Sequence, residues 1–312
     1  MSLITAHGLT KSYGDRPVLR GIDLDVEAGT ILGIAGPNGA GKTTLVECLG
    51  GVRDRDGGAV AVAGVDPARP TRQLRLDLGI QLQQIRVPPM LRAREVLELF
   101  ASFYPDPLPP DQLLEEFDLA DQAKQAFGKL SGGQQQRLSV SLALVGRPRI
   151  AILDELTTGL DPTARRRIWA QLERRRAEGM TMLLVTHSME EAQRLCDRMV
   201  ILQDGRIIAD AAPQEIVSRG GAQRIRFQAD VDASMLGRLE TCEDVRRVAR
   251  EGGGLVVEGG DASPQAVLAM LDRMGVRARS VSVERPSLED AYHQLTTGPE
   301  RADAGIPREE IS

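Results

Sequence analysis

Short apolar segments alternate with helical patterns along the first two thirds of the chain, through about residue 218. Segments 30–35, 150–154 and 182–186 are apolar almost throughout, which is typical of strands that helices cover on both faces of a sheet. This alternation predicts an α/β core with a parallel sheet, and we expect these three segments to form its centre.

Two further patterns surround this core. Segments 3–9 and 18–26 show a looser alternation of apolar and polar residues, and segment 59–63 resembles a short edge strand, so we predict an antiparallel layer. Between about residues 87 and 146 the apolar spacing becomes helical, with a break at the prolines of 105–110, which predicts a helical insertion.

The pattern changes from about residue 219. A strand, a helix, two strands, a helix, a strand and a final helix follow in order, which predicts a small α+β domain over 219–298. Residues 299–312 are polar and contain Pro and Gly, so we expect a disordered tail.

Charge gives no support for a nucleic-acid-binding surface over the whole chain. The 312 residues carry a formal net charge of -5, so no general basic field is present. A local basic patch formed by the arginine runs 165–167 and 174–176 is an alternative, although their helical spacing favours a solvated helix face.

The cysteines and the apolar runs narrow the class of protein further. Cys48, Cys196 and Cys242 are far apart in the sequence and fit no metal-ligand spacing. We therefore expect neither a disulfide framework nor a zinc site, and we expect the protein to work in a reducing compartment. No signal peptide is recognisable and every apolar run is too short to span a membrane, which predicts a soluble chain.

Residues 36–44 read GPNGAGKTT and lie between a predicted strand and a predicted helix, which is the context of a phosphate-binding loop. Its glycines let successive N–H groups converge on phosphate oxygens at a helix N-terminus. Lys42 adds a positive charge, and the Thr43 hydroxyl can bind Mg²⁺. We therefore predict a nucleoside triphosphate site formed by Gly36, Pro37, Asn38, Gly39, Ala40, Gly41, Lys42, Thr43 and Thr44.

An apolar strand ends in two carboxylates, Asp154 and Glu155. Alone, this pattern is often only the end of a strand. Together with an upstream phosphate-binding loop, it predicts that Asp154 holds Mg²⁺ through its water shell and that Glu155 polarises the water that attacks the γ-phosphate.

A second candidate anion site reads SGGQ, formed by Ser131, Gly132, Gly133 and Gln134 at the start of a predicted helix. Alone, it is equally typical of a flexible helix cap. Beside a phosphate-binding loop in the same chain, it indicates a dimer in which two nucleotides are shared across the interface.

The ordered motifs resemble the nucleotide-binding subunit of an ABC transporter over about residues 3–218. These motifs are Tyr13, GPNGAGKTT, Gln83, LSGGQQQR, ILDE, Gly159 to Pro162, and Thr186 with His187. The resemblance implies ATP and Mg²⁺ as ligands. It further implies that Tyr13 stacks on adenine and that Asp161 lies in a loop communicating between the two sites, whereas a packed strand-end tyrosine is the alternative for Tyr13.

The resemblance also implies roles for Gln83 and His187. Gln83 matches the glutamine that senses Mg²⁺ and water, with Gln81 and Gln84 as competitors, and His187 matches the histidine that hydrogen-bonds the γ-phosphate. One position departs from the family: Leu156 replaces the proline that usually follows the catalytic glutamate, which puts the rigidity of this loop in question.

The sequence from 286 to 296 is similar to the end of ATPase subunits that serve exporters of the drug and antibiotic resistance type, with a capped helix of a generic accessory domain as the alternative. We therefore expect a homodimeric ATPase on the inner face of the cell membrane that powers a separately encoded permease. The alternatives are a soluble ABC ATPase acting on nucleic acid or ribosomes and a slow regulatory ATP sensor. Because the chain has one cassette and no long heptad run, no direct nucleic-acid contact is expected.

Overall fold

The structure, a computed structural model, describes residues 2–81, 87–220, 223–251, 253–260, 262–284 and 287–297. It divides into two compact units, residues 1–213 and 214–312. The predicted domain boundary after about residue 218 falls inside a helix, and Gln83, Gln84 and the tail 299–312 lie outside the described residues. None of the helices in the described ranges is both long and apolar enough to cross a bilayer.

The described residues of the first unit form nine strands, with helices between them. The strands are β1 (Ser2–Tyr13), β2 (Arg16–Glu27), β3 (Ile31–Ala35), β4 (Gly57–Val62), β5 (Leu78–Gln81), β6 (Ile150–Asp154), β7 (Thr181–Val185), β8 (Arg198–Gln203) and β9 (Arg206–Ala211). The helices are α1 (Lys42–Leu49), α2 (Arg72–Asp77), α3 (Ala93–Ala101), α4 (Pro110–Glu116), α5 (Gly132–Leu144), α6 (Pro162–Ala177), α7 (Met189–Leu195) and α8 (Pro213–Gly220), which crosses the boundary between the units.

Six strands form one sheet in the order β5-β6-β7-β3-β8-β9, parallel except for the antiparallel pair of β8 and β9. Every residue of β3, β6 and β7 is buried, which explains their continuous apolar sequence. The predicted α/β class and the central position of these three strands are confirmed. The carboxyl ends of β3 and β6 therefore come close together at one edge of the sheet, since one strand lies between them.

The other three strands form an antiparallel sheet in the order β2-β1-β4, as predicted from their alternation. Apolar side chains of β1 and β2, including Ile4, Leu9 and Leu24, share one buried core with α1 and with the main sheet. This core fixes α1 and the loop before it, because Leu45 and Leu49 are fully buried on the inner face of the helix.

The helical insertion consists of α3, α4 and α5, with α3 ending at Ala101 before the proline-rich break. Ion pairs attach it to α6, since Arg174 and Arg175 both bind Glu116 of α4. The prediction of a solvated helix face for 174–176 is thus wrong for Arg175, which is buried because its guanidinium neutralises an equally buried carboxylate.

Among its described residues, the second unit holds most of α8, four strands and three further helices, with an apolar core of its own. These strands and further helices are β10 (Gln223–Gln228), α9 (Ala233–Glu240), β11 (Val245–Glu251), β12 (Gly254–Gly259), α10 (Ser263–Arg273), β13 (Arg279–Glu284) and α11 (Leu288–Thr297). The sheet order is β11-β12-β10-β13, with all pairs antiparallel. Ser287 and Asp290 exchange hydrogen bonds at the start of α11, which is the capping box expected from the sequence.

Candidate active site

The loop between β3 and α1 has the backbone of a phosphate cradle. Gly41, the N-cap of α1, has a φ of 105°, and a Cβ there would come within 2.9 Å of the Val18 carbonyl oxygen. A Cβ on Gly36 would lie 2.1 Å from the Leu202 carbonyl oxygen. Both positions therefore require glycine, and the free N–H groups at the start of α1 point toward the space where phosphates bind.

Lys42 lies within this loop with its side chain folded back over it. Its Nζ donates to the carbonyl oxygens of Gly36, at 2.8 Å, and Pro37, at 3.0 Å. Burial lowers the pKa of the Lys42 ammonium, although the charges of Glu155 and Asp154 act to raise it. The positive charge is therefore held in place at the cradle, facing two carboxylates.

Asp154 ends β6 and is completely buried. Its Oδ2 accepts a hydrogen bond from the Thr43 hydroxyl at 3.3 Å, whereas Oδ1 has no hydrogen-bond partner among the described residues. Burial, followed by the charge of Glu155, raises the pKa of Asp154 to about 6. A buried carboxylate with a free oxygen beside a hydroxyl is the donor set that Mg²⁺ prefers, so these residues fit that ion.

Glu155 is the first residue after β6 and takes a left-handed backbone conformation, with a φ of 51°. Its amide donates to the Val185 carbonyl oxygen at 2.9 Å, which fixes the turn against β7. The next strand end brings His187 alongside, with its Nε2 3.0 Å from Glu155 Oε1. The carboxylate and the imidazole therefore form a contacting pair at the edge of the sheet.

The cradle, the pair of Glu155 and His187, and Tyr13 surround one cavity of about 460 Å³. Tyr13 lies at its mouth and is 44% exposed, so one of its faces is open to a ligand. The Arg53 guanidinium stacks 5.1 Å from the centre of the Tyr13 ring, and the Tyr13 hydroxyl lies 3.4 Å from the Thr44 hydroxyl.

Arg16 and Val18 also line this cavity, although no sequence motif marks either of them. Both come from the beginning of β2, directly after the turn that follows Tyr13. Their proximity to Tyr13 in the sequence is the only signal that relates them to the site.

The second candidate anion site lies elsewhere on the chain. Ser131 caps α5, as the sequence predicted, and the structure adds a capping box with Gln134, but none of Ser131 to Gln134 is among the described residues that line the cavity. Asp161 also caps a helix, since its Oδ1 accepts from the amides of Thr163 and Ala164 at the start of α6. The nucleotide-binding roles of Asp161 and of the SGGQ segment stay predictions.

The described part of the chain includes one of the three candidate glutamines. Gln81 is buried, and its amide group exchanges two hydrogen bonds of 3.1 Å with the backbone of Asp154. Gln81 thus aligns the end of β5 with the end of β6. The sensor role of Gln83 stays a prediction, because Gln83 lies outside the described residues.

Comparisons with known proteins agree with this geometry. The sequence profile of the ABC transporter family matches residues 19–158. A daunorubicin resistance ATP-binding protein of Streptomyces coeruleorubidus is 35% identical, with 94% of each chain covered. The Nod factor export ATP-binding protein I of Rhizobium meliloti is 36% identical, over 94% of this chain and 88% of the relative.

Solved structures show the same likeness. An ATP-binding subunit of an ABC transporter superposes with a TM-score of 0.64 at 28% identity, covering 70% of this chain and 93% of the other. A dimeric ATP-binding cassette in a post-hydrolysis state with ADP and Pi gives a TM-score of 0.62 at 25% identity, covering 67% and 98%. These likenesses do not favour the nucleic-acid or regulatory alternatives. The chain belongs to the ABC transporter family, as an ATP-binding subunit that hydrolyses ATP.

Proposed function

We propose that two copies of this chain hold two ATP molecules with Mg²⁺ between them and hydrolyse ATP to drive a separately encoded membrane permease that exports its substrate. One observation carries the proposal: Lys42 and the contacting pair of Glu155 and His187 line one cavity, and the buried Asp154 carboxylate lies directly behind it, bound by the hydroxyl of the lining residue Thr43. These are the groups that phosphoryl transfer to water requires.

Each group has a distinct task in the reaction. The loop amides and Lys42 hold the β- and γ-phosphates, which positions the terminal phosphorus for in-line attack. Glu155 accepts a proton as the water oxygen bonds to that phosphorus, and the bond to the bridging oxygen of ADP breaks. His187 lies beside Glu155 and donates a hydrogen bond to a γ-phosphate oxygen. This bond stabilises the negative charge that develops on the phosphoryl group.

Thr43 and Asp154 would hold Mg²⁺ in this site. When bound, the ion neutralises negative charge on the β- and γ-phosphate oxygens. One oxygen of the buried Asp154 has no partner among the described residues, so the ion would satisfy a group that this part of the chain leaves unpaired.

The dimer follows from the separation of the two anion-binding elements. The SGGQ segment presents the N-terminus of a thirteen-residue helix, α5, yet it lies outside the cavity that Lys42 lines. A second copy related to the first by a twofold axis would bring this N-terminus to the γ-phosphate that the first copy holds. This isologous arrangement completes both sites at once, which supports a twofold dimer.

The role in export rests on the named relatives. Proteins 35% and 36% identical over nearly the whole chain are called daunorubicin resistance and Nod factor export ATP-binding proteins. By that likeness, this chain acts at the inner face of the cell membrane, where a permease supplies the path for the substrate. The similarity extends through the second unit, which is consistent with the exporter-like motif at 286–296.

The variant Glu155→Gln tests the proposal, because the amide keeps the shape of the side chain but cannot accept a proton. We expect steady-state ATP hydrolysis to fall at least about a hundredfold while ATP remains bound, and we expect a dimer to accumulate with ATP and Mg²⁺, measured as molar mass in solution. Glu98→Gln on α3 is the matched control and should behave like the wild type. Wild-type turnover in Glu155→Gln would show that Glu155 is not the base. A strict monomer at high concentration would contradict the model in which two copies share the ATP sites.

A further inference from the structure

We infer that Trp169 and Glu191 are positioning residues that hold His187 against Glu155, through a hydrogen bond that joins α6 to the first turn of α7. The inference rests on the proposed function, since it assumes that His187 acts on the γ-phosphate. It concerns two residues that lie outside every motif recognised in the sequence.

The bond is buried and directional. The indole Nε1 of Trp169 donates to Oε1 of Glu191 at 2.9 Å, and the two residues are 2% and 1% exposed. The second carboxylate oxygen of Glu191, Oε2, has no partner among the described residues. A carboxylate that is buried with a single partner depends strongly on that partner, because removing it leaves both oxygens unsatisfied.

Two arginine side chains also fix the indole that makes this bond. The guanidinium groups of Arg165 and Arg194 lie on the Trp169 ring, with their Cζ atoms 5.9 and 5.2 Å from its centre. Arg165 additionally pairs with Glu190 and Arg194 with Glu173. The indole is therefore clamped between α6 and α7 by cations, and its N–H has one orientation.

Glu191 is close to the reacting groups along the chain. Ser188 is the N-cap of α7, and its hydroxyl accepts from the Glu191 amide at 3.3 Å. The amide of Ser188 in turn donates to the hydroxyl of the buried Thr186 at 2.9 Å. His187 lies between these two anchored residues, so a displacement of the first turn of α7 moves the imidazole directly.

The same bond reaches α6, the helix that begins after the loop of Asp161, which we predict to communicate between the two sites. Trp169 lies two turns into α6, and Asp161 caps the start of that helix. The bond thus joins the helix after Asp161 to the helix after His187, and the two loops are held at a fixed separation. Because a displacement of about 1 Å in a reacting group can lower a rate a hundredfold, this separation matters for turnover.

The test compares Trp169→Phe, which keeps an aromatic ring but removes the N–H, with Glu191→Leu and Glu191→Gln. In the full chain we expect the first two variants to lower kcat for ATP hydrolysis by about tenfold to a hundredfold, with the KM for ATP changed less than about twofold, since the cradle is untouched. Glu191→Gln retains an acceptor oxygen and should keep kcat within about threefold. Gln193→Leu, whose side chain is exposed on the same helix, is the matched control.

The double variant Trp169→Phe/Glu191→Leu shows whether the two residues act through the same hydrogen bond or independently of each other. We expect its kcat to be no lower than that of the worse single variant, because both changes remove the same bond. Losses that multiply, or wild-type kcat in both folded single variants, would overturn the inference. A parallel rise of the KM for ATP would also overturn it, since that would indicate general damage to the site.

Trp169 provides a second test that needs no change at either residue, because it is the single tryptophan of the chain. We expect saturating ATP and Mg²⁺ to change the fluorescence emission of Trp169 in the Glu155→Gln variant. The change should be much smaller in Glu155→Gln/His187→Ala, with ATP binding verified separately. Equal emission changes in both proteins would overturn the inference. If His187→Ala itself retains wild-type kcat, the proposed role of His187 fails, and that outcome is distinct from a failure at Trp169.

Discussion

The side-chain amide of Gln136 donates a hydrogen bond of 3.0 Å to the backbone carbonyl oxygen of Glu155. Glu155 has a left-handed backbone conformation that is costly for a residue with a side chain, and its amide is held by Val185. Gln136 therefore supplies a second restraint on the strained residue. Since Gln136 belongs to α5, this contact also joins the SGGQ helix to the carboxylate that we assign as the base.

We predict that Gln136→Leu lowers kcat for ATP hydrolysis by about tenfold, because the Glu155 turn loses a hydrogen bond while the volume of the side chain is nearly kept. ATP affinity should remain near that of the wild type. Gln112→Leu is a matched control, since the Gln112 amide also makes a side-chain hydrogen bond, to Glu116, but within α4. Equal kcat in Gln136→Leu and the wild type would show that the backbone hydrogen bonds of Glu155, with Val185 and Thr158, hold the turn without Gln136.

A second prediction concerns Lys42, which donates to two carbonyl oxygens of its own loop. Lys42→Ala removes both these bonds and the charge that faces the phosphates, so we expect ATP affinity to fall at least about tenfold. Lys42→Arg should not restore binding, because a buried ammonium in a closed loop leaves no room for a planar guanidinium. Titration with a fluorescent ATP analogue measures both variants, and unchanged affinity in Lys42→Ala would contradict the cradle.

A third prediction follows from the buried Asp154, whose pKa is raised from 3.8 to about 6, first by burial and then by Glu155. The native state holds this proton more tightly than the unfolded chain, so the stability it contributes is full below pH 3.8 and is lost as the pH rises through about 6. Without nucleotide and metal, Asp154→Asn should therefore raise the thermal midpoint at pH 8, by an amount corresponding to on the order of 3 kcal/mol, and by about half of that at pH 5.

Asp161 gives the matched control of opposite sign. Its pKa is lowered, first by the hydrogen bond from the Ala164 amide, so its contribution to stability is present above the unfolded value of 3.8 and is lost as the pH falls through the lower native value. Asp161→Asn should accordingly reduce the thermal midpoint at pH 8. If both variants shift the midpoint in the same direction at pH 8, charge is not the cause of either shift.

Most of the fold could be predicted from local patterns. The buried strands β3, β6 and β7 are apolar throughout, and β1 and β2 alternate, because each pattern reflects the faces that a strand covers. Arg175 shows where this reasoning fails. Its burial depends on Glu116, which is distant in the sequence, and helical spacing alone does not reveal a partner on another element.

The residues of the candidate site also fall into two groups, those that sequence motifs predict and those that only tertiary contacts reveal. Lys42, Asp154 and His187 lie in motifs whose spacing records a function, whereas Gln136, Trp169 and Glu191 act through contacts between elements. Glu155 and Gln136 are nineteen positions apart, and Trp169 and Glu191 twenty-two. No periodicity relates such pairs, so the tertiary structure is needed to find them.

The last prediction concerns the contact with the permease. We take the apolar segment 87–91 in the helical insertion as the candidate docking surface, and packing on the protein's own core is the alternative for it. Met90 is 83% exposed, whereas Leu91 is half-buried and its carbonyl oxygen accepts from the Phe127 amide at 2.7 Å. Met90 is therefore available as an anchor, while Leu91 also holds the loop in place.

We predict that Met90→Glu leaves basal ATP hydrolysis near the wild-type level while it abolishes stimulation by the permease and co-purification with it. An exposed apolar anchor contributes to binding and little to folding, so a charge at its position should weaken the complex with the permease and leave the fold intact. Leu99→Glu on α3, another exposed apolar position, is the matched control. If Leu99→Glu loses the permease and Met90→Glu retains it, the contact lies on α3. If neither variant affects co-purification, both residues lie outside the interface and the docking hypothesis is wrong.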